Sequence, residues 1–273
     1  MECGIKIAVL SDVHGNINAL DSVLEDIKKE KADHVIVLGD FITDFPAGTK
    51  KTIDTIRSVT DYVIKGNREI IIEKGMEDGY NYNQFITTYL TLMELNDSEK
   101  NYIKKLPEQI SLIFNENISI RCVHGSPFSA FEHIFENDIN KNIDTLSKIP
   151  EKILLCGHTH EQWSQTINEK IILNPGSVGI NFAGNKAAQY GILCIENNNV
   201  SIELKNIDYD FDSFKKSCDL DIPWIKLIIS GMEDGKVYTV EFLEEAKKRS
   251  STWPIPDDLW FKLSEEWCRK KGF

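Results

Sequence analysis

The sequence predicts an α/β fold built around a parallel sheet buried on both faces. Three observations carry that prediction. Short apolar runs alternate with helical periodicity through the first 65 residues, the pattern of βαβ units. Six apolar runs along the chain end in Asp, His or Asn beside a glycine. The 273 residues are 41% hydrophobic and 27% charged, an ordinary composition for a globular chain large enough to bury a core without disulfide or metal staples.

The elements follow in order. Ile5–Leu10 is an apolar strand. Residues 16–29 place Ile17, Leu20, Val23, Leu24 and Ile27 at helical spacing. Residues 34–38 (HVIVL) form a second strand, Thr49–Val59 a helix and 61–64 a third strand. Residues 70–107 turn polar and helical, with an apolar stripe of Phe85, Ile86, Tyr89, Leu92 and Met93 and a stop at Pro107. That stripe is read as a cap over the site or against the body of the fold. Strands are expected at 110–114, 118–123, 153–156, 170–173, 190–195 and 200–205, and a helix at 133–148. Asn197, Asn198 and Asn199 read as the turn of a hairpin between the last two strands. Beyond Asp208 the pattern is helical again, at about 212–216, 222–230, 239–249 and 257–270.

Composition narrows the function classes. The chain carries 31 Lys and Arg against 43 Asp and Glu, a net charge of −12. Nucleic acid and anionic membranes attract a positive field, so neither is the expected main partner. No stretch approaches the 18 or so apolar residues of a membrane span. The N-terminal run lacks a basic region and a small-residue cleavage site, so it reads as a strand and not a signal peptide. The six cysteines are dispersed without a C-x-x-C pair, and Cys122, Cys156 and Cys194 sit in apolar strands. They are expected to be reduced structural thiols in a cytoplasmic protein.

The strand ends carry the chemistry. They read Asp12-Val13-His14-Gly15, Gly39-Asp40, Gly66-Asn67-Arg68-Glu69, His124-Gly125, Gly157-His158-Thr159-His160 and Asn174-Pro175-Gly176-Ser177. In open α/β sheets ligands bind at the carboxyl ends of the strands, so these turns aim their side chains at one crevice. Asp12, His14, Asp40, Asn67, His124, His158 and His160 offer carboxylates, imidazoles and one amide, with no thiolate. That donor set suits Mn²⁺, Fe²⁺, Zn²⁺, Co²⁺ or Ni²⁺. Seven ligands exceed the needs of one such ion and fit two, with one carboxylate bridging. Two ions about 3.5–4 Å apart can clamp a phosphoryl centre and lower the pKa of a water toward ~7. Each motif alone reads as a turn or a cap, but four of the six histidines fall in these turns.

As a set, the motifs resemble the calcineurin-like metallophosphoesterase family pattern of D-x-H, G-D, G-N-H-D/E, H-G and G-H-x-H. The resemblance implies a four-layer αββα metallophosphoesterase β-sandwich with a helical insert and a helical C-terminal tail. It implies a phosphoesterase domain at 1–208, an insert at 70–107 and a C-terminal helical extension at 209–273 packed on the same domain. It further implies that Asp12, His14 and His160 bind one ion, that Asn67, His124 and His158 bind the other, and that Asp40 bridges them with an attacking hydroxide. His158 and His160 would stabilise charge on the phosphoryl oxygens. Mn²⁺ is the leading metal. The Asn174-Pro175-Gly176-Ser177 segment, the insert, residues 207–210 and the tail resemble small bacterial proteins described as diadenosine tetraphosphatase-like or protein-phosphatase-like.

Arg68 departs from the family pattern, which has His there. Arginine cannot act as a general acid, since its pKa exceeds 12. It can grip a phosphate bidentately or pair with Glu69 or Asp44 at the rim. Asp40, Asn67, Arg68 and His158 are thus the candidate catalytic residues. His34 is read as a structural or surface residue, and His133 as a surface residue, with reach to the site from the start of the following helix as the alternative. Trp253, Trp260 and Trp267, at sevenfold spacing, are read as one face of a tail helix, or as a partner or dimer surface.

The expected activity is hydrolysis of a phosphodiester or phosphoanhydride, with dinucleoside polyphosphates or other nucleotides as substrates. A serine/threonine protein phosphatase, a general phosphomonoesterase or a metal-dependent nuclease are alternatives on the same chemistry. A non-catalytic protein-binding scaffold, like the degenerate metallophosphoesterase subunit of the retromer coat, is the alternative from another class. The acidic surface favours a small phosphorylated substrate over a long nucleic acid.

Overall fold

In a computed structural model, the structure describes residues 4–60, 62–78, 86–114, 118–196, 199–250, 252 and 255–273. Two five-stranded mixed sheets pair face to face. The first runs β10 (Asn199–Ile207), β9 (Ala188–Glu196), β1 (Ile5–Leu10), β2 (His34–Val37) and β3 (Tyr62–Val63). The second runs β4 (Gln109–Phe114), β5 (Ile118–Val123), β6 (Ile153–Leu155), β8 (Lys170–Pro175) and β7 (Gln162–Ile167). In the first sheet the parallel trio β1-β2-β3 runs to the edge, with β9 and β10 joined to β1 by antiparallel pairing on the other side, and in the second the parallel trio β5-β6-β8 lies between antiparallel β4 and β7.

The apolar run Ile7–Leu10 of β1 is explained by its position. Ile7 and Val9 point into the layer between the sheets with Ile36, Leu38, Ile120, Leu155 and Leu193. Ala8 and Leu10 point the other way, onto Leu20 and Val23 of α1 (Ile17–Glu30) and Ile53 and Ile56 of α2 (Thr49–Val59). Helix α1 starts on Asn16, whose side chain accepts from the Ala19 N–H and so satisfies one of its unpaired donors. On the far side, α6 (Ile139–Ser147) contributes Leu146 to a cluster with Leu154, Trp163 and Ile172 of the second sheet. The order helix, sheet, sheet, helix is the four-layer αββα sandwich that the family resemblance implies.

Between β3 and β4 run α3 (Asn67–Asp78), α4 (Ile86–Glu94) and α5 (Asp97–Lys105). The predicted apolar stripe does not form the buried face of α4. Thr87, Thr88 and Thr91 are buried instead, and Met93 is 66% exposed. Helix α4 packs against α3 and the tight 46–48 turn, where small side chains allow close approach. Phe85 lies outside the described residues.

After β10 come α7 (Phe211–Ser217), α8 (Pro223–Asp234), α9 (Tyr238–Arg249) and α10 (Asp257–Lys271). Phe211, Phe214, Ile225 and Ile228 pack on Phe45 and Ile180, next to the strand-end turns. Trp260 and Trp267 are buried with Tyr238 and Phe242 inside the helical tail, so these two indoles are core rather than an exposed face. Trp253 lies outside the described residues. Among the described residues no helix is long and apolar enough to cross a membrane.

Four local expectations are corrected. Strand β7 was not predicted, because its sequence QWSQTI is polar and buries only Trp163. The helix expected at 133–148 begins only at Ile139, capped by Asp138, and 133–138 is an irregular loop. Cys194 is disulfide-bonded, not a free thiol like Cys122 and Cys156. Asn199 opens β10 instead of sitting in the hairpin turn, and Asn197 and Asn198 lie outside the described residues.

Candidate metal centre

The turns that follow the strands are locked onto one another. The N–H groups of Asp12 and His14 donate to the carbonyls of Gly39 and Asp40, and those of Val178 and Gly179 donate to Ser11 and Asp12. Asp12, His14, Asp40, His158 and His160 all hold left-handed backbone, with φ between 50° and 68°. For residues with a Cβ this conformation is costly and persists only where the surroundings over-determine it. Gly157 shows how tight the fit is. A Cβ there would meet Ser11 Oγ at 2.0 Å and Asp12 Oδ2 at 2.9 Å.

Two clusters result, Asp12 with His14 and His160, and Asp40 with His124 and His158. In the first, His160 Nε2 lies 3.2 Å from both Asp12 Oδ1 and His14 Nε2. In the second, His124 Nε2 lies 3.3 Å from Asp40 Oδ2 and 2.9 Å from Asn67 Oδ1. Asp40 Oδ2 is also 3.9 Å from His14 Nε2, so this carboxylate faces both clusters. All seven predicted ligands are thereby brought to one place.

The far sides of three of the four rings are anchored. His124 Nδ1 donates to the Leu38 carbonyl and His160 Nδ1 to the Ile180 carbonyl, both at 2.8 Å, and His14 Nδ1 lies 2.8 Å from Asp44 Oδ2. A carbonyl only accepts, so Nδ1 carries the hydrogen in His124 and His160, and Nε2 is aimed inward, as in metal-ligating histidines. Asp12 Oδ2 accepts from Ser11 Oγ at 2.5 Å and the His158 N–H at 3.0 Å. Its other oxygen, Oδ1, is buried among three imidazole nitrogens with no hydrogen bond of good geometry. A cation would satisfy it, and the oxygen and nitrogen donors fit a borderline divalent ion. Cys156 follows β6 beside the centre, but burial pushes its thiol up to about 12, so it offers no thiolate.

The electrostatics describe a site strained by its own charges. Burial raises the Asp12 and Asp40 carboxyls, but the facing imidazoles, His160 and His124 for Asp12 and His124 for Asp40, hold both below the ordinary range. Burial lowers His14 and His124, yet Asp12 and Asp44 raise the first to about 10, and Asp40 and Asp12 raise the second to about 9. His158 goes down to about 3, from burial and the neighbouring His124. Glu69, buried beneath Asp40, accepts from the N–H groups of Gly66, Asp40, Phe41 and Ile42 and so splices the ends of β2 and β3. Burial and the Asp40 carboxylate raise it to about 7 against the pull of those donors.

Residues 5–198 match the family profile described as the calcineurin-like phosphoesterase superfamily domain. The chain belongs to this superfamily. An uncharacterized protein of Methanocaldococcus jannaschii, MJ0912, is 28% identical over 223 residues, 75% of this chain and 88% of that protein. Phosphodiesterase YfcE of Escherichia coli K12 is 24% identical over 189 residues, 69% of this chain and 87% of that enzyme. The crystal structure of a metallophosphoesterase from Sphaerobacter thermophilus shares the fold, with a TM-score of 0.67 at 20% identity over 85% of this chain and 99% of that one.

Within this calcineurin-like frame, further residues surround the two clusters. Arg68 donates its backbone N–H to Asp40 Oδ1 at 2.7 Å and places Nε 3.2 Å from Asp44 Oδ2. Its partner is therefore Asp44, whereas Glu69 is occupied by backbone donors. Asp44, at 0% exposure, is no rim residue: it joins His14, Arg68 and, through its Oδ1, the indole N–H of Trp224 on α8 at 2.9 Å. Nothing in the sequence pattern singled out Trp224. His133, read from the sequence as a surface residue with reach to the site as the alternative, packs its ring on His158 with centroids 4.3 Å apart. Asn174 and Ser177 act on the backbone of the motifs, donating to the Gly157 and Asp12 carbonyls at 2.9 and 2.7 Å.

Proposed function

We propose that the protein is a two-metal phosphoesterase that hydrolyses phosphodiester or phosphoanhydride bonds in small phosphorylated molecules, with nucleotides and dinucleoside polyphosphates the leading class and Mn²⁺ the leading metal. One observation carries the reading: two ligand clusters share the Asp40 carboxylate at the carboxyl ends of the central strands. Asp12, His14 and His160 would hold one ion, His124, His158 and Asn67 the other, and Asp40 both. Bound there, the ions would polarise the phosphoryl oxygens and bring the pKa of a water toward ~7.

The chain's own groups supply the rest. Asp44 and the Leu38 and Ile180 carbonyls hold three imidazoles in one orientation, so little reorganisation is needed when charge develops on the phosphoryl oxygens. Arg68 stands at the mouth of the site with its side chain 26% exposed, where its remaining donors would take a substrate oxygen. Five ligands in left-handed backbone represent a strain that a protein-binding scaffold has no use for, which supports the enzyme over the scaffold.

The test combines metal titration with turnover. The expected result is two Mn²⁺ per chain, and hydrolysis of bis(p-nitrophenyl) phosphate or a dinucleoside polyphosphate that stops on chelation. A protein that binds fewer than two ions and turns over no aryl ester, cyclic nucleotide, dinucleoside polyphosphate or phosphopeptide refutes the proposal.

A further inference from the structure

Next to the second ligand cluster stands an aromatic shelf. His133 packs on His158 with planes 30° apart, and the Phe135 ring lies parallel to His133, planes within 2° and centroids 5.6 Å apart. His133 and Phe135 are both exposed, Phe135 to 37%, whereas Ile134 between them is buried in the cluster over the second sheet. The buried isoleucine thus turns its two neighbours outward.

The loop that carries the shelf is built onto the site. A Cβ on Gly125, the residue after ligand His124, would meet the carbonyl oxygens of Glu132, Ser129 and Ala130 at 2.6–2.8 Å. The Ser126 hydroxyl accepts from the N–H groups of Phe128 and Ser129 and donates to Glu132. Glu132 pairs with Lys141 at 2.9 Å, and Lys141 Nζ donates to the His133 carbonyl at 2.6 Å. The two rings are therefore fixed relative to His158 before any ligand arrives.

Folding alone gives no reason to hold two outward-facing rings in register with an ionic centre, and apolar surface beside a cleft marks a binding site. Flat faces select flat partners by offset stacking, and every nucleobase has such a face. We propose that His133 and Phe135 form the subsite for a nucleobase, carried on the phosphate that binds at the ligand clusters. This rests on the phosphoesterase reading above and names its substrate class: nucleotides ahead of sugar, alkyl or peptide phosphates.

Calorimetry on the full chain loaded with Mn²⁺ tests it, with adenosine 5′-monophosphate and ribose 5-phosphate as probes that share a phosphate and differ by the base. The nucleotide is expected to bind about tenfold tighter, within the range of base–aromatic stacking. That ratio should fall toward one in Phe135→Ala and in His133→Ala and survive in Phe135→Tyr. Equal affinities in the wild type, or an unchanged ratio in Phe135→Ala, overturn the subsite and leave the phosphoesterase reading intact. Binding of neither probe to protein that carries two ions overturns the phosphate site and the subsite together.

Discussion

The indole N–H of Trp224 donates to Asp44 Oδ1 at 2.9 Å, across 180 residues of sequence. The other oxygen of that carboxylate holds His14 Nδ1 at 2.8 Å. The C-terminal helices thus reach the candidate metal centre through a chain of two contacts. Groups that orient a ligating histidine typically govern about 10- to 100-fold of metal affinity. Asp44→Ala should therefore weaken binding of one of the two ions by about that factor, and Trp224→Phe, which removes only the N–H, by about tenfold or less. Stepwise Mn²⁺ calorimetry reads both. Two ions bound with wild-type affinity in both variants would show that the contact is packing alone.

Protonation gives a second prediction. With no ion bound, His14 and His124 are raised to about 10 and about 9, so both rings are charged near neutral pH. A ligand nitrogen must lose its proton, so ion binding should expel one proton from each ring, while His158, lowered to about 3, releases none. Apparent affinity should rise with pH until it levels off at about 9 to 10. Calorimetry in two buffers of different ionisation enthalpy counts the protons, and a count of zero refutes the charged histidines. Chelated protein shows the companion effect. A histidine raised in the folded state contributes stability that is fully present below its ordinary pKa of 6.5 and lost as pH climbs through about 9 to 10. Its melting temperature should fall over that interval.

What the sequence made legible was the part of the site written in local turns. Each ligand sits within two residues of a glycine or of another ligand just past the end of a strand, and β1 reads at its observed bounds because burial on both faces makes Ile7–Leu10 continuously apolar. Residues whose role depends on distant partners were not legible. Asp44 looked like a rim acid because its burial comes from Trp224 and the 41–48 loop, where Thr43 and Asp44 themselves adopt left-handed backbone. Residues 133–148 hold no glycine or proline to break a helix, so the expected helix starts at His133, yet the observed one waits for its Asp138 cap. Strand β7 escaped because an edge strand needs only one buried residue, Trp163.

Arg68 supports the last prediction. Burial works against its charge, but Asp44, Asp40 and Asp12 raise its pKa, so it stays a guanidinium and cannot protonate a leaving group. Paired with Asp44 at 3.2 Å, it is a cation at the mouth of the site. If its work is to bind phosphate, Arg68→Ala should raise KM for phosphate esters by about 10- to 100-fold, the worth of a charge-assisted hydrogen bond. Departure without an acid suits nitrophenolate or a nucleoside phosphate and penalises an alkoxide. Arg68→His introduces a group that titrates near neutral pH, and general acid catalysis is worth about 10²-fold or more. That variant should gain on alkyl phosphomonoesters and gain little on aryl diesters. Parallel kinetics on the two substrate types decide the matter, since unchanged turnover of both would mean that Arg68 serves only to balance the charge of Asp44.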